Sequence, residues 1–576
     1  MNMHHTKATL APTNISTWIT SMTPVPHEPK MVHGQPILKS PDLTPAERQY
    51  WENYNVTTYF TSELGNRTAF NYHVATILLI TVIIYPICMI LQNVGSKRYL
   101  WCLTFNLLLT LSSLLSIAIF HGSFKSYHIY ASNIYGKLSW ILFSLILVHY
   151  IVAVLMTLSG KRPTIINTRR QNDSNDHTFI TPESDTQDIQ LDDMSTLSPG
   201  TSITAEDSSN EIDLEQQQPS LVGKSENFRF NQDTVVYKWV RKLSPLGKLF
   251  FPWLNIMLFA FLLVYITMGL AIGNLFGKGV RIFNLLAHWI KGGVFFTLGI
   301  VALARYCGLG YNHGWAWNRI IVYSSSDGND YRDTGLLSKI LNPEGMITME
   351  ALESFLIFFY GITNVFLEHL AGAGGAWTPK DLQHVSIAFI YIGAGLCGLL
   401  VEVKLNQWRY KHTIANIEED ENHKVVVRAS PGFSPNPFPA LTIFWTGILM
   451  SQHAQISMTS TLIHTQWGYL LSYGSFFRLF TFLLLLFHPN KSAKPSYPFT
   501  ELITSFCLIC GGIVFMESTD QVVEALEYRG YTPMFTFNLS VGLTSLIMAW
   551  EMTLAMWHDW LTEQRHDNAS SSYIEA

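Results

Sequence analysis

The sequence predicts an all-α protein, a polytopic transmembrane helix bundle of about eleven spans with its amino terminus lumenal or extracellular and its carboxyl terminus cytosolic. Three observations predict it. Of 576 residues, 48% are hydrophobic and only 14% charged, where an ordinary soluble domain carries about 25% charged residues. The apolar residues gather in runs of about twenty, the length a helix needs to cross the hydrocarbon core with its backbone groups internally bonded. Basic residues collect in alternate connections between those runs, which is the positive-inside pattern.

Residues 1–71 read as a polar outer tail. Met1 to Trp18 is rich in Thr, His and Asn and has no continuous apolar run. No cleaved signal peptide is expected, and the first span is read as its own signal. The tail carries glycosylation sequons at Asn14, Asn55 and Asn66, usable only on the lumenal or extracellular side.

A three-helix unit follows over 72–158, with spans at 72–91, 100–120 and 138–157. Residues 159–237 form a cytosolic loop. Between Gln171 and Glu226 it is rich in Asp, Glu, Ser, Thr and Gln, too polar to offset its ordering entropy, so disorder is expected. Thr181-Pro182 and Ser198-Pro199 are candidate phosphorylation sites, and the 171–226 stretch is the candidate surface for cytosolic partners. An eight-helix unit occupies 238–558, with spans at 250–271, 283–304, 351–367, 384–401, 438–457, 468–487, 501–516 and 535–557. Residues 559–576 are a cytosolic tail.

Charge supports the orientation. Lys97, Arg98, Lys161, Arg162, Lys238, Arg241, Arg305, Lys404, Arg409 and Lys491 fall in cytosolic connections, whereas the outer ones hold few cations, such as Lys278, Arg281 and Arg529. The net charge of −5, much of it in the loop, offers no basic field for nucleic acid. The six cysteines lie in or beside apolar segments and suggest no disulfide framework; the Cys507/Cys510 pair lacks the further ligands of a zinc site. There is no Walker loop, dinucleotide fingerprint or GxSxG elbow, so a soluble-type enzyme domain is not expected.

Ionisable groups at membrane depth are the candidate functional residues. The densest set lies at the outer boundary. Glu368-His369 ends one span and Asp381 to His384 opens the next, joined by a Gly-rich turn. His453 and His464 are about three helical turns apart and would share a face of an unbroken helix. With Glu517, these residues are read as ligands for a divalent metal or as a proton relay. Against that stands a plain reading, in which boundary histidines sit among lipid headgroups.

His73 and His121 lie near the outer ends of adjacent antiparallel spans, with His149 mid-way along the third. Facing histidines are what b-type haem ligation requires, although intramembrane histidines satisfied by a neighbouring helix are commoner. Glu551 is an intramembrane acid, read as a proton site or a helix-helix hydrogen-bonding group. His288 and Lys291 are further buried polar groups. Gly292-Gly293 and Gly393 with Gly395 mark close helix approach.

Several stretches resemble the fungal Ytp-type transmembrane protein family. They are Gly292 to Gly299 followed by Gly314-Trp-Ala-Trp-Asn318, Asp381 to Ala388, His453 through Gly468, Glu501 to Ile509, and Met548 to Glu551. The amino-terminal unit is similar to the domain that precedes this region in the family, which resembles the cytochrome b-561 membrane fold. At the start of the third span, where such domains carry histidine, this chain has Tyr135 and Gly136.

The leading expectation is a fungal multi-pass glycoprotein of the secretory pathway or plasma membrane, more a transporter of metal or protons than an enzyme. Two alternatives stand beside it: transmembrane electron transfer through haem b, and a structural or sorting role.

Overall fold

The computed structural model describes residues 34–124, 130, 133–158, 235–310, 315–317, 320–325, 347–367, 376–377, 379–415, 424–429, 435–452, 455, 457–487 and 495–574. The expected disordered loop, including its 171–226 partner stretch, lies outside them, as does Asn14. The architecture is a helical membrane bundle. Among the described residues, nine helices are long and apolar enough to cross a membrane.

Outside the first span, a short helix α1 (Pro45–Glu52) begins with a capping box in which Thr44 and Glu47 satisfy one another's backbone N–H groups. The first span, α2 (Arg67–Asn93), is followed by α3 (Tyr99–Gly122), α4 (Tyr135–Leu158) and α5 (Val235–Gly273). Then come α6 (Arg281–Tyr306), α7 (Met349–Leu367), α8 (Pro379–Ala415), α9 (Phe438–Ser451), α10 (Met458–Phe487), α11 (Phe499–Glu517), the short surface helix α12 (Asp520–Arg529) and α13 (Pro533–Ile574). Strands β1 (Ile320–Ser325) and β2 (Lys424–Ala429) form one antiparallel ribbon between connections.

Two of the eleven expected spans differ from the nine. Helix α7 carries Glu350 and Glu353 in its first turns, and α9 is only 14 residues long. Both are helices in the expected places, but α9 stops at Ser451 rather than continuing to 457.

The packing does not divide at the long loop. Helix α5 lies against α4, and its Leu258, Leu262 and Tyr265 share a core with Ile77 and Ile80 of α2, Leu114 and Ile117 of α3, and Leu142 and Ile146 of α4. The amino-terminal bundle is therefore built from four helices. A second core joins α6, α10 and α11, where Trp467 stacks on Phe515 at 4.0 Å.

Lipid gives no hydrophobic drive between helices, so these contacts depend on close approach. Gly292 of α6 and Gly512 of α11 meet backbone to backbone: a Cβ on Gly512 would lie 2.5 Å from Phe296 N and 2.6 Å from Gly292 O. Gly395 plays the same part between α8 and α7. Gly293 and Gly393 face open space.

Helix α13 ties the two bundles together. In α2, Pro86 has no N–H, which removes the usual donor to the carbonyl four residues earlier, and a π-type turn spans Ile80–Ile84. That carbonyl, Val82 O, accepts from the Trp550 indole at 2.8 Å.

Candidate functional site

The outer histidine set is only partly within the described residues. Glu368, His369 and His453 lie outside them, as does the side chain of Asp381. His384 is half-buried on α8. His464 is buried on α10, where its Nδ1–H donates to Ser460 O at 2.8 Å and its ring meets that of His288 edge-on at 5.7 Å. The partner the structure supplies is thus a histidine of α6. Glu517 ends α11 and accepts from Ser540 Oγ of α13 at 2.7 Å. Among the described residues, no group of three or more His, Cys, Asp or Glu side chains is placed to hold a metal ion.

The histidines proposed for haem do not fit that group. His73 is buried on α2, and both ring nitrogens are engaged: Nδ1 lies 2.9 Å from Ser113 Oγ and 3.0 Å from Ser113 O, and Nε2 lies 3.0 Å from Tyr135 OH. An iron would have to displace one of these partners. Tyr135 stacks on Tyr265 at 4.8 Å and fills the space beside the imidazole. The residue that departs from the histidine pattern is therefore the one that occupies His73. His121 stands at the end of α3 next to Phe120. His149 is stacked on Phe251 at 5.1 Å with Tyr85 beside it.

The most concentrated chemistry lies at the other end of the bundle. Arg305, in the last turn of α6, donates through Nη2 to Glu350 Oε1 of α7 at 2.8 Å. Its Nε reaches Trp315 O, and its guanidinium lies 3.8 Å from the centre of the Trp317 ring. One turn along α7, Glu353 accepts from Arg478 Nη1 of α10 at 3.1 Å. The same guanidinium donates to Glu501 of α11, at 2.9 Å from Nη2. Glu402 of α8 joins through Thr348, whose hydroxyl donates to it at 2.7 Å while accepting from the first turn of α7. Five helices meet here. Glu350 and Glu353 stand one turn apart on α7, which brings the two ion-paired groups side by side.

None of these six charged residues is more than 8% exposed, and Glu501 is fully buried. Removing charges from water costs several kcal/mol per ion even after relaxation, and only good geometry recovers it. Such groups are kept inside a membrane protein where they have work to do.

Sequence reasoning missed this site. By hydropathy Arg305 falls in a cytosolic connection, Glu402 one residue past the span 384–401, Glu350 one residue before the span 351–367 and Glu353 in its first turn. One signal was present. Arg478 is a lone cation inside the run from Tyr473 to Phe487, and an arginine there requires acidic partners from other helices.

Fold and site together define a polytopic helical membrane protein with a buried ionic core. The profile described as "Protein YTP1-like, C-terminal" matches residues 261–559, and a domain of unknown function, DUF2427, matches 53–159. The chain belongs to the YTP1-like family. It is 51% identical over 583 residues to an uncharacterised membrane protein of Saccharomyces cerevisiae, covering 95% of this chain and 91% of that one. An uncharacterised membrane protein of Schizosaccharomyces pombe is 41% identical over 280 residues, 48% of this chain and 52% of the relative. Protein YTP1 of Saccharomyces cerevisiae is 23% identical over 293 residues, 50% and 55% of the two chains. No solved structure matches.

Proposed function

We propose that this protein is a proton-translocating membrane protein of the secretory pathway or plasma membrane, oriented with its amino-terminal tail outside and its ionic core towards the cytosol. The observation that carries the reading is the balance of that core. Glu353 and Glu501, from different helices, share the single guanidinium of Arg478 inside the bundle. Out of water, the second carboxylate is offset by a proton or by a further cation. Arg478, bridging two acids from different helices, can give up one contact and keep the other as a proton arrives or leaves. The reading keeps the proton relay expected from sequence and moves its centre from the outer histidines to the buried core.

The test is proton flux into liposomes carrying the full-length protein and a trapped pH-sensitive dye, driven by a potassium diffusion potential. Wild type should acidify the lumen, with E353Q and E501Q reduced about tenfold, as for the loss of about 1.4 kcal/mol of barrier lowering. Flux from wild type no greater than from empty liposomes would overturn the proposal.

A further inference from the structure

We infer that Cys88 and Cys102 form a reversible disulfide, closed by hydrogen peroxide and opened again by thiols, which clamps α2 to α3 beside the turn that joins them. Both are free cysteines, and the Cys88 thiol donates to Cys102 Sγ at 2.9 Å. The sulfurs of a disulfide stand about 2.05 Å apart, so closing the bond asks for an approach of less than about 1 Å. The helical hairpin produces this meeting. Cys88 lies in the last turns of α2, which ends at Asn93, and Cys102 in the first turn of α3, which starts at Tyr99, so the antiparallel packing brings the two to one level.

The two thiols differ in access, and the difference sets the order of events. Cys88 is 1% exposed and shares a core with Leu91, Leu103, Ala153 and Phe251, whereas Cys102 is half-buried at the edge of that core. A small oxidant therefore reaches Cys102 first. Its sulfur takes one peroxide oxygen, the O–O bond breaks, and the leaving hydroxide carries off the thiol proton as water. Cys88 then attacks the sulfenic sulfur of Cys102. The S–S bond forms, the S–O bond breaks, and a second water leaves with the Cys88 proton. Two thiols lose two electrons and one peroxide gains them.

The position of the pair gives the bond something to hold. Just before Cys88 the helical ladder of α2 is interrupted by the π-type turn Ile80–Ile84 and by Pro86. A bond from Cys88 to α3 pins the part of α2 beyond that interruption and closes a loop of 14 residues, which removes freedom from the unfolded chain. Trp557 and Leu561 of α13 pack against the same core, so the clamp acts where the last span meets the first.

The test treats the purified full chain in lipid nanodiscs with hydrogen peroxide, then blocks remaining thiols with N-ethylmaleimide under denaturing conditions and maps the peptides by mass. Wild type should yield a linked pair of peptides carrying Cys88 and Cys102, and dithiothreitol should release it. C88S should stop at a sulfenic acid on Cys102, trapped by dimedone, and C102S should leave Cys88 alkylated. Peroxide should raise the melting temperature of wild type and leave that of C88S where it was. The wild-type chain alone is enough to overturn the inference. It fails if both cysteines are still alkylated after peroxide, if Cys102 stops at a sulfenic or sulfinic acid, or if the linked form melts no higher than the reduced one.

Discussion

Trp550 Nε1 donates to Val82 O at 2.8 Å, and Val82 is the residue whose carbonyl Pro86 leaves without its helical donor. A defect written into the first span is thus repaired by the last one, and the repair holds two bundles together. Trp550→Phe should lower the unfolding free energy in detergent by about 1–3 kcal/mol, the range for an acceptor left without a donor in an apolar medium. In a Pro86→Ala background, where residue 86 again has an N–H to offer, the same change should cost markedly less. Equal costs in both backgrounds would refute the coupling.

The Arg478 guanidinium makes a second, harsher prediction. Removing it leaves Glu353 and Glu501 buried without their cation, and breaking a buried pair from one side costs about 3–5 kcal/mol. Arg478→Leu should therefore fall well below wild type in thermal stability, while the triple variant R478L/E353Q/E501Q should recover most of the loss. A triple variant less stable than the single one would mean that the pairs are worth more than their desolvation cost.

The α6–α11 crossing depends on two backbones touching at Gly292 and Gly512. Gly512→Val should cost at least about 2 kcal/mol and reduce the yield of folded protein, because rigid backbone cannot move aside for the new atoms. Gly293→Ala, next in sequence to the contact but facing open space, should be silent in the same measurement.

His73 and Tyr135 bear on the redox alternative. Because Ser113 and Tyr135 already engage both ring nitrogens of His73, the purified protein reduced with dithionite should show no haem α-band. Tyr135→Phe should destabilise the amino-terminal bundle by about 1 kcal/mol through the lost hydrogen bond. A haem band in the wild-type protein would contradict the His73 geometry outright.

The sequons separate by their place in the chain. Asn55 and Asn66 each accept a backbone N–H through Oδ1, from Thr57 at 2.9 Å and from Ala69 at 3.1 Å, but Asn66 thereby caps the first membrane-spanning helix while Asn55 stands in an exposed turn outside it. If the tail is outside, as the charge pattern implies, Asn55→Gln should increase electrophoretic mobility and Asn66→Gln should not. Asn66→Ala should instead cost about 1 kcal/mol of stability. A mobility unchanged by Asn55→Gln, or raised by Asn66→Gln, would contradict this assignment.

Much of the helix layout could be read directly from the chain, because a run such as 100–120 has only one way to satisfy its backbone in lipid. The breaks came where local and tertiary demands part. Helix α9 stops at Ser451, with the polar Gln452 as its cap, where hydropathy alone carries the span to 457. Helix α5 reads as the start of the second unit because it follows the long loop, yet its Tyr265 stacks on Tyr135. The candidate site was legible only in part. Histidines at span ends stand out in a hydropathy trace, whereas Glu350, Glu353 and Glu402 look like ordinary span-edge acids until Arg305, Arg478 and Thr348 are found beside them.

The sequence by itself determined that this chain is a membrane bundle and where its helices lie, because apolar length and flanking charge are local properties. Tertiary structure alone decided which polar groups meet. Arg478 lies 125 residues from Glu353 and 23 from Glu501 in the chain, and Trp550 lies 468 from Val82. In a medium without water, a polar group must find its partner on another helix, and nothing in the spacing along one helix says which helix that will be.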